Sequence, residues 1–170
     1  MKWFWIAAGV MVVAVVATLI VGWLLPETHT ASRHASFQAS AETVWALITD
    51  VEKFPAWRSD VKSVERLPNR DGRPVWVEEG SNGRITFAFE RTDAPRLLVV
   101  RIADPDLPFG GTWTYAVSAA SSGSTLTITE DGAIYPLFRV LSRFVFGYES
   151  TLATYLKDAG ARLASAKSGS

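Results

Sequence analysis

Residues that could carry out metal, cofactor or nucleophilic chemistry are few and widely spaced. The two histidines, His29 and His34, lie far in sequence from any pair of carboxylates, and the chain has no cysteine. A metal site needs several such ligands in clustered spacing. The sequence also lacks the G-x-S-x-G motif, a phosphate-binding loop and a dinucleotide fingerprint. It therefore predicts no metal site and no cofactor.

Glu130 and Arg91 are the polar residues that strand alternation directs towards the domain interior. Glu130 is in phase with the apolar residues of its strand, and Arg91 follows Phe89 by two positions. An inward acid and an inward base could transfer a proton or orient the polar end of a ligand. Solvent or a single ion pair at a strand end would satisfy the same side chains, and we expect this simpler role. Glu78 and Glu79 point to opposite faces, so at most one of them faces inward.

A long apolar segment, Trp3 to Leu25, precedes everything that could form a domain. It contains neither a charged residue nor a proline, and Trp3, Trp5 and Trp23 lie near its two ends. At about 1.5 Å per residue it makes a helix of roughly 34 Å, enough to cross a bilayer core. Indole rings favour the headgroup boundary. We predict a transmembrane signal-anchor over residues 1–26.

Two further features bear on this segment. A cleaved signal peptide has an apolar core of about 7–15 residues and an A-x-A-like site, whereas this core is longer and is followed only by weak small-residue pairs. Lys2 precedes the segment and Glu27 is the first charge after it. The positive-inside rule then favours a single-pass membrane protein with a cytoplasmic N-terminus and a periplasmic or other extracytoplasmic domain.

The rest of the chain is the size of one domain. We predict a linker over residues 27–32, a domain over 33–164 and a disordered tail over 165–170. The whole chain balances 17 basic against 17 acidic residues, and no basic run is visible. This charge pattern argues against nucleic acid as a partner.

Within the domain, helical segments enclose a run of strands. Ser40 is a suitable N-cap for a helix over 41–49, and a second short helix follows before Pro55. From Val61 to Asp131, apolar residues alternate with polar ones and turn residues recur at near-regular intervals, which is typical of an antiparallel meander. Pro136 then opens a long amphipathic helix of about 28 residues, whose apolar stripe steps by three and four.

Four segments carry a resemblance to a known family: S40-A-E-T-V-W-A-L-I-T-D50, F54-P-A-W57, G111-T-W-T-Y115 and G123-S-T-L-T-I-T-E130. They resemble the polyketide cyclase/dehydrase and lipid-transport family of the START-like, or SRPBCC, superfamily. The resemblance implies an α+β helix-grip fold, in which a curved antiparallel sheet wraps around a long C-terminal helix and leaves a hydrophobic cavity. It says little about activity, because one fold hosts many functions.

The resemblance also gives the apolar faces a location. It implies a cavity lined by Trp57, Phe87, Phe89, Trp113, Tyr115, Leu126, Ile128, Phe144, Tyr148 and Leu152, with Arg91 and Glu130 as its polar groups. A stripe of aromatic residues can equally be packed core.

The leading hypothesis is a membrane-anchored START-like domain that binds a hydrophobic small molecule or lipid. The alternatives are a cyclase- or dehydratase-type enzyme acting on a hydrophobic substrate, and an interaction module with a filled interior. Catalysis stays open, with a non-enzyme favoured, and protein partners stay unassigned.

The anchor hypothesis makes a direct prediction. Mature protein extracted from membranes retains residues 1–25, because the apolar core is too long for a typical cleaved signal. Intact-mass measurement of the extracted protein checks this. A mass lacking these residues would contradict it.

Overall fold

The computed structural model describes residues 2–24, 26, 28–81, 83–105, 107, 109–134 and 150–168. Its helices are α1 (Lys2–Leu24), α2 (Ala41–Thr49), a 3₁₀ helix (Val51–Ala56) and α3 (Ser150–Ser168). Its strands are β1 (Thr28–Phe37), β2 (Val61–Arg70), β3 (Arg73–Gly80), β4 (Gly83–Asp93), β5 (Leu97–Ile102), β6 (Phe109–Ala120) and β7 (Gly123–Ile134).

The strands form one curved sheet in the order β1-β7-β6-β5-β4-β3-β2. All six pairings are antiparallel, so β2 to β7 make a meander and β1 adds to its far edge. Apolar residues of the inner face join α2, the 3₁₀ helix and α3 in one core cluster. The predicted α+β helix-grip architecture is therefore confirmed.

The start of α2 follows from its sequence. The Thr43 backbone N–H donates to Ser40 Oγ at 3.2 Å, which satisfies one of the unpaired donors at the helix N-terminus. Val44 and Ile48, one turn apart, are buried against the core. The predicted cap and the predicted helix bounds are both confirmed.

The boundaries of the predicted linker and tail are wrong. Strand β1 begins at Thr28, and Thr28 to Ser32 pair in register with Ala133 to Thr129 of β7. Most side chains of this edge strand are polar, so the sequence pattern did not predict a strand there. At the other end α3 continues through Ser168, where Lys167 Nζ donates to Gln38 Oε1 at 3.2 Å.

The predicted long C-terminal helix is described only from Ser150 onwards. Leu152, Tyr155 and Ala159 are buried, as the apolar stripe predicts, and Leu156, which lies outside that stripe, is buried as well. The predicted helix start at Pro136 and the residues Phe144 and Tyr148 lie outside the described residues.

Helix α1 carries no charged residue after Lys2. Among the described residues it is the one helix long and apolar enough to cross a membrane, and an N-terminal signal sequence passes the same test.

Candidate functional site

A cavity of about 450 Å³ lies between the inner face of the sheet and α3. Ligand pockets typically have about 300–1,000 Å³ and mostly apolar walls with a few polar groups. Here β3 to β7 supply most of the wall, β1 supplies His29, and α3 adds Leu152 and Tyr155. The cavity is therefore of ligand size, and its walls combine aromatic surface with buried charge.

Six of the ten predicted cavity residues lie on this wall: Phe87, Phe89, Trp113, Tyr115, Ile128 and Leu152. Strand alternation placed the sheet residues correctly, because β4, β6 and β7 keep their inward phase through this region.

Two predicted cavity residues lie elsewhere. Leu126 is completely buried in the core and is not among the residues that line the cavity. Trp57 packs edge-on against Phe54 and Tyr155, with ring centroids 5.7 and 5.2 Å apart. Its ring supports the wall without lining it.

The prediction that Arg91 faces the cavity is wrong. The pairing of β4 with β5 shifts register between Phe89 and Arg91. A bulge of this kind interrupts the alternation of inward and outward side chains, on which the prediction for Arg91 depended. Arg91 is consequently exposed to solvent.

Glu130 does reach the cavity, and its partners include the histidine that the sequence placed in a linker. His29 Nε2 lies 3.4 Å from Glu130 Oε1, and the Trp113 side chain also hydrogen-bonds to this carboxyl group. A Cβ atom at Gly132 would overlap the His29 ring, so glycine makes the space that this ring occupies. Burial raises the pKa of Glu130, against the opposing effect of His29 and Trp113.

A second polar cluster lines the cavity and was missed by the sequence analysis. Arg58 donates through Nη1 to both oxygens of Glu78, at 3.1 and 2.9 Å. Its Nε and Nη2 donate to the two oxygens of Asp60, at 3.1 and 2.7 Å. Trp76 Nε1 donates to Glu78 at 2.9 Å. The cluster joins the segment between the 3₁₀ helix and β2, which carries Arg58 and Asp60, to β3.

Burial and charge oppose each other in this cluster. Burial would lower the pKa of Arg58, but the carboxylates of Glu78 and Asp60 outweigh it and the pKa is raised. Burial raises the pKa of Glu78, and Arg58 opposes that shift. The guanidinium also lies over the rings of Phe54 and Tyr155, 5.0 and 5.2 Å from their centroids. Arg58 therefore stays charged beside the cavity.

Tyr115 and Tyr155 complete the polar part of the wall. Their ring centroids are 5.5 Å apart, and burial raises the pKa of both hydroxyls. The Tyr155 hydroxyl is buried and has no hydrogen-bond partner of good geometry in the described part of the chain. Both tyrosines are therefore neutral groups at ordinary pH.

Comparison with known proteins assigns the family. The family model described as "Polyketide cyclase / dehydrase and lipid transport" matches residues 28–166. The chain belongs to this family. No curated protein matches the chain.

Solved structures share the fold at low sequence identity. The Zhui aromatase/cyclase from Streptomyces sp. R1128 is 15% identical, with a TM-score of 0.66 over 81% of this chain and 94% of that one. A START superfamily protein from Mycobacterium smegmatis is 18% identical, with a TM-score of 0.64 over 81% and 98% of the two chains. Norcoclaurine synthase from Thalictrum flavum is 15% identical, with a TM-score of 0.64 over 81% and 87%. These similarities extend to the fold alone.

The buried cluster predicts a large effect of removing its cation. Arg58→Met should lower the free energy of unfolding by about 3–5 kcal/mol at neutral pH, because Glu78 would be left buried and uncompensated. Chemical denaturation of the full chain measures this. The deficit should shrink as the pH falls towards about 4.5, because Glu78, whose pKa burial raises, then takes up a proton in the folded state.

The matched variant is Arg58→Met/Glu78→Gln, which removes both charges and keeps an acceptor for Trp76. It should recover most of the lost stability. A double variant no more stable than Arg58→Met, or a deficit that grows on acidification, would contradict this interpretation.

Proposed function

We propose that this protein is a membrane-anchored START-like domain that binds a hydrophobic small molecule or lipid in its internal cavity. The observation that carries the proposal is the cavity of about 450 Å³, with a largely aromatic wall and a few buried polar groups. A wall of this composition removes apolar ligand surface from water, while the polar groups fix its orientation.

Covalent geometry supports a link between the cavity and the anchor. His29 lines the cavity, and α1 ends at Leu24, five positions earlier. A chain extends by at most about 3.6 Å per residue, so the two Cα atoms lie within roughly 18 Å of each other. If α1 crosses the bilayer, this end of the cavity works close to the membrane surface.

Neighbouring strands meet at the same end of the sheet. Thr28 pairs with Ala133, and Phe109 pairs with Ile134. Phe109, Gly110 and Gly111 line the cavity there. A hydrophobic ligand that partitions into the bilayer would then have a short route to the cavity, and the tether would raise the domain's effective concentration there.

The proposal also assigns the side of the membrane on which the domain lies. Lys2 before α1 and Glu27 after it favour a cytoplasmic N-terminus and an extracytoplasmic domain.

An enzyme is the second candidate, and one observation favours it. Glu130 faces the cavity with a pKa that burial raises, beside His29, and a carboxyl group tuned in this way can act as a general acid or base. Zhui is an aromatase/cyclase and the Thalictrum protein is norcoclaurine synthase, so the fold is compatible with catalysis.

Native mass spectrometry of the gently extracted full chain tests the proposal. We expect a bound hydrophobic molecule in addition to the mass of the chain. No bound species, together with an interior closed to added hydrophobic probes, would contradict the proposal and favour an interaction module. Turnover of a bound molecule, lost in Glu130→Gln with the fold intact, would favour the enzyme.

A further inference from the structure

Acidic residues outnumber basic residues on the cavity wall. Among the described residues that line it, three are carboxylates (Asp60, Glu78 and Glu130), one is the Arg58 guanidinium, and His29 is the remaining titratable base. With His29 neutral, the formal charge of these groups is negative. A largely apolar wall amplifies such an imbalance, because charges interact more strongly in a low effective dielectric.

Arg58 is poorly placed to receive an anionic ligand. All three of its guanidinium nitrogens already donate to Asp60 and Glu78, and its side chain is only 11% exposed. An incoming carboxylate or phosphate would have to compete with two carboxylates that are already in place. The guanidinium of Arg58 is therefore fully engaged by Asp60 and Glu78. This cluster offers no available site for an anion in the cavity.

Of the three carboxylates on the wall, Glu130 is the one that remains accessible to a ligand. Its His29 contact is long at 3.4 Å, and its side chain is 19% exposed on the cavity side. Trp113 pairs directly with Glu130 across β6 and β7, and Tyr115 is two residues further along β6. An organic cation bound at a carboxylate gains further stabilisation where it can lie over a neighbouring aromatic ring.

The Tyr155 hydroxyl is a further polar group at the cavity wall. It is buried, and its interaction with the Tyr115 hydroxyl lacks good hydrogen-bond geometry. A buried hydroxyl without a well-placed partner is destabilising. A polar group on a ligand would satisfy it.

We propose that the cavity selects hydrophobic molecules whose polar end is a protonated amine, and that Glu130, flanked by Trp113, receives that amine. The amine donates to the carboxylate, its charge compensates the acidic wall, and the apolar part of the ligand lies against the aromatic residues. This inference rests on the proposed function, since it names the ligand class of the same cavity.

Three ligands of matched shape test the inference: 4-phenylbutylamine, 4-phenylbutan-1-ol and 4-phenylbutanoate. Their affinities are measured by calorimetry on the full chain in nanodiscs of zwitterionic lipid, with empty nanodiscs subtracted. We expect the amine to bind about 10-fold or more tighter than the alcohol, and the carboxylate to bind weakest. In Glu130→Gln the ratio of amine to alcohol affinity should fall towards one.

The matched control is Glu79→Gln, since Glu79 is the exposed neighbour of Glu78 on β3 and this change should leave the ratio unaltered. The wild-type comparison needs no variant, so it stands even if Glu130→Gln fails to fold. Equal binding of amine and alcohol, or tighter binding of the carboxylate, would overturn the amine inference and leave the proposed function intact. Binding of none of the three would overturn both for ligands of this size.

Discussion

The Arg58 guanidinium connects four elements that surround the cavity. Its side chain leaves the chain just after the 3₁₀ helix, bonds Asp60 at the approach to β2 and Glu78 in β3, and lies over the Tyr155 ring of α3. Buried ion pairs often add little net stability, but losing one partner is costly. The main contribution of this cluster is geometric. It fixes the 3₁₀ helix against the sheet beside the cavity.

The cavity explains why polar residues are found in the interior of the domain. In a filled core, Glu130 and Tyr155 would be destabilising groups with poor partners. On a cavity wall they become groups that a ligand can satisfy, and the raised pKa of Glu130 reflects the same burial. Under the proposed membrane anchoring, such a ligand would have a short route from the bilayer, because His29 belongs both to the cavity wall and to the first strand after α1. The solved structures that share this fold include enzymes, so the fold alone leaves the choice between carrier and catalyst to the chemistry of the wall.

The fold was largely predictable, whereas half of the site was not. Period-two alternation from Val61 onwards and the cap at Ser40 were enough for the strands and for α2, because both rules are local. Arg91 was misplaced since a bulge is not visible in alternation. His29 was assigned to a linker because the edge strand that carries it is mainly polar. The Arg58 cluster joins residues up to twenty positions apart, and only the paired strands bring them together.

In the proposed function, the space between the sheet and α3 holds a hydrophobic ligand. Filling it tests this most directly: Ile102→Trp places an indole at the cavity wall, and Thr92→Trp adds the same ring at an exposed position of β4. The measurement is the amount of hydrophobic molecule released per full-length chain after extraction. We expect bound material in the wild type and in Thr92→Trp, and its loss in a folded Ile102→Trp. Equal amounts of bound material in all three proteins would contradict it.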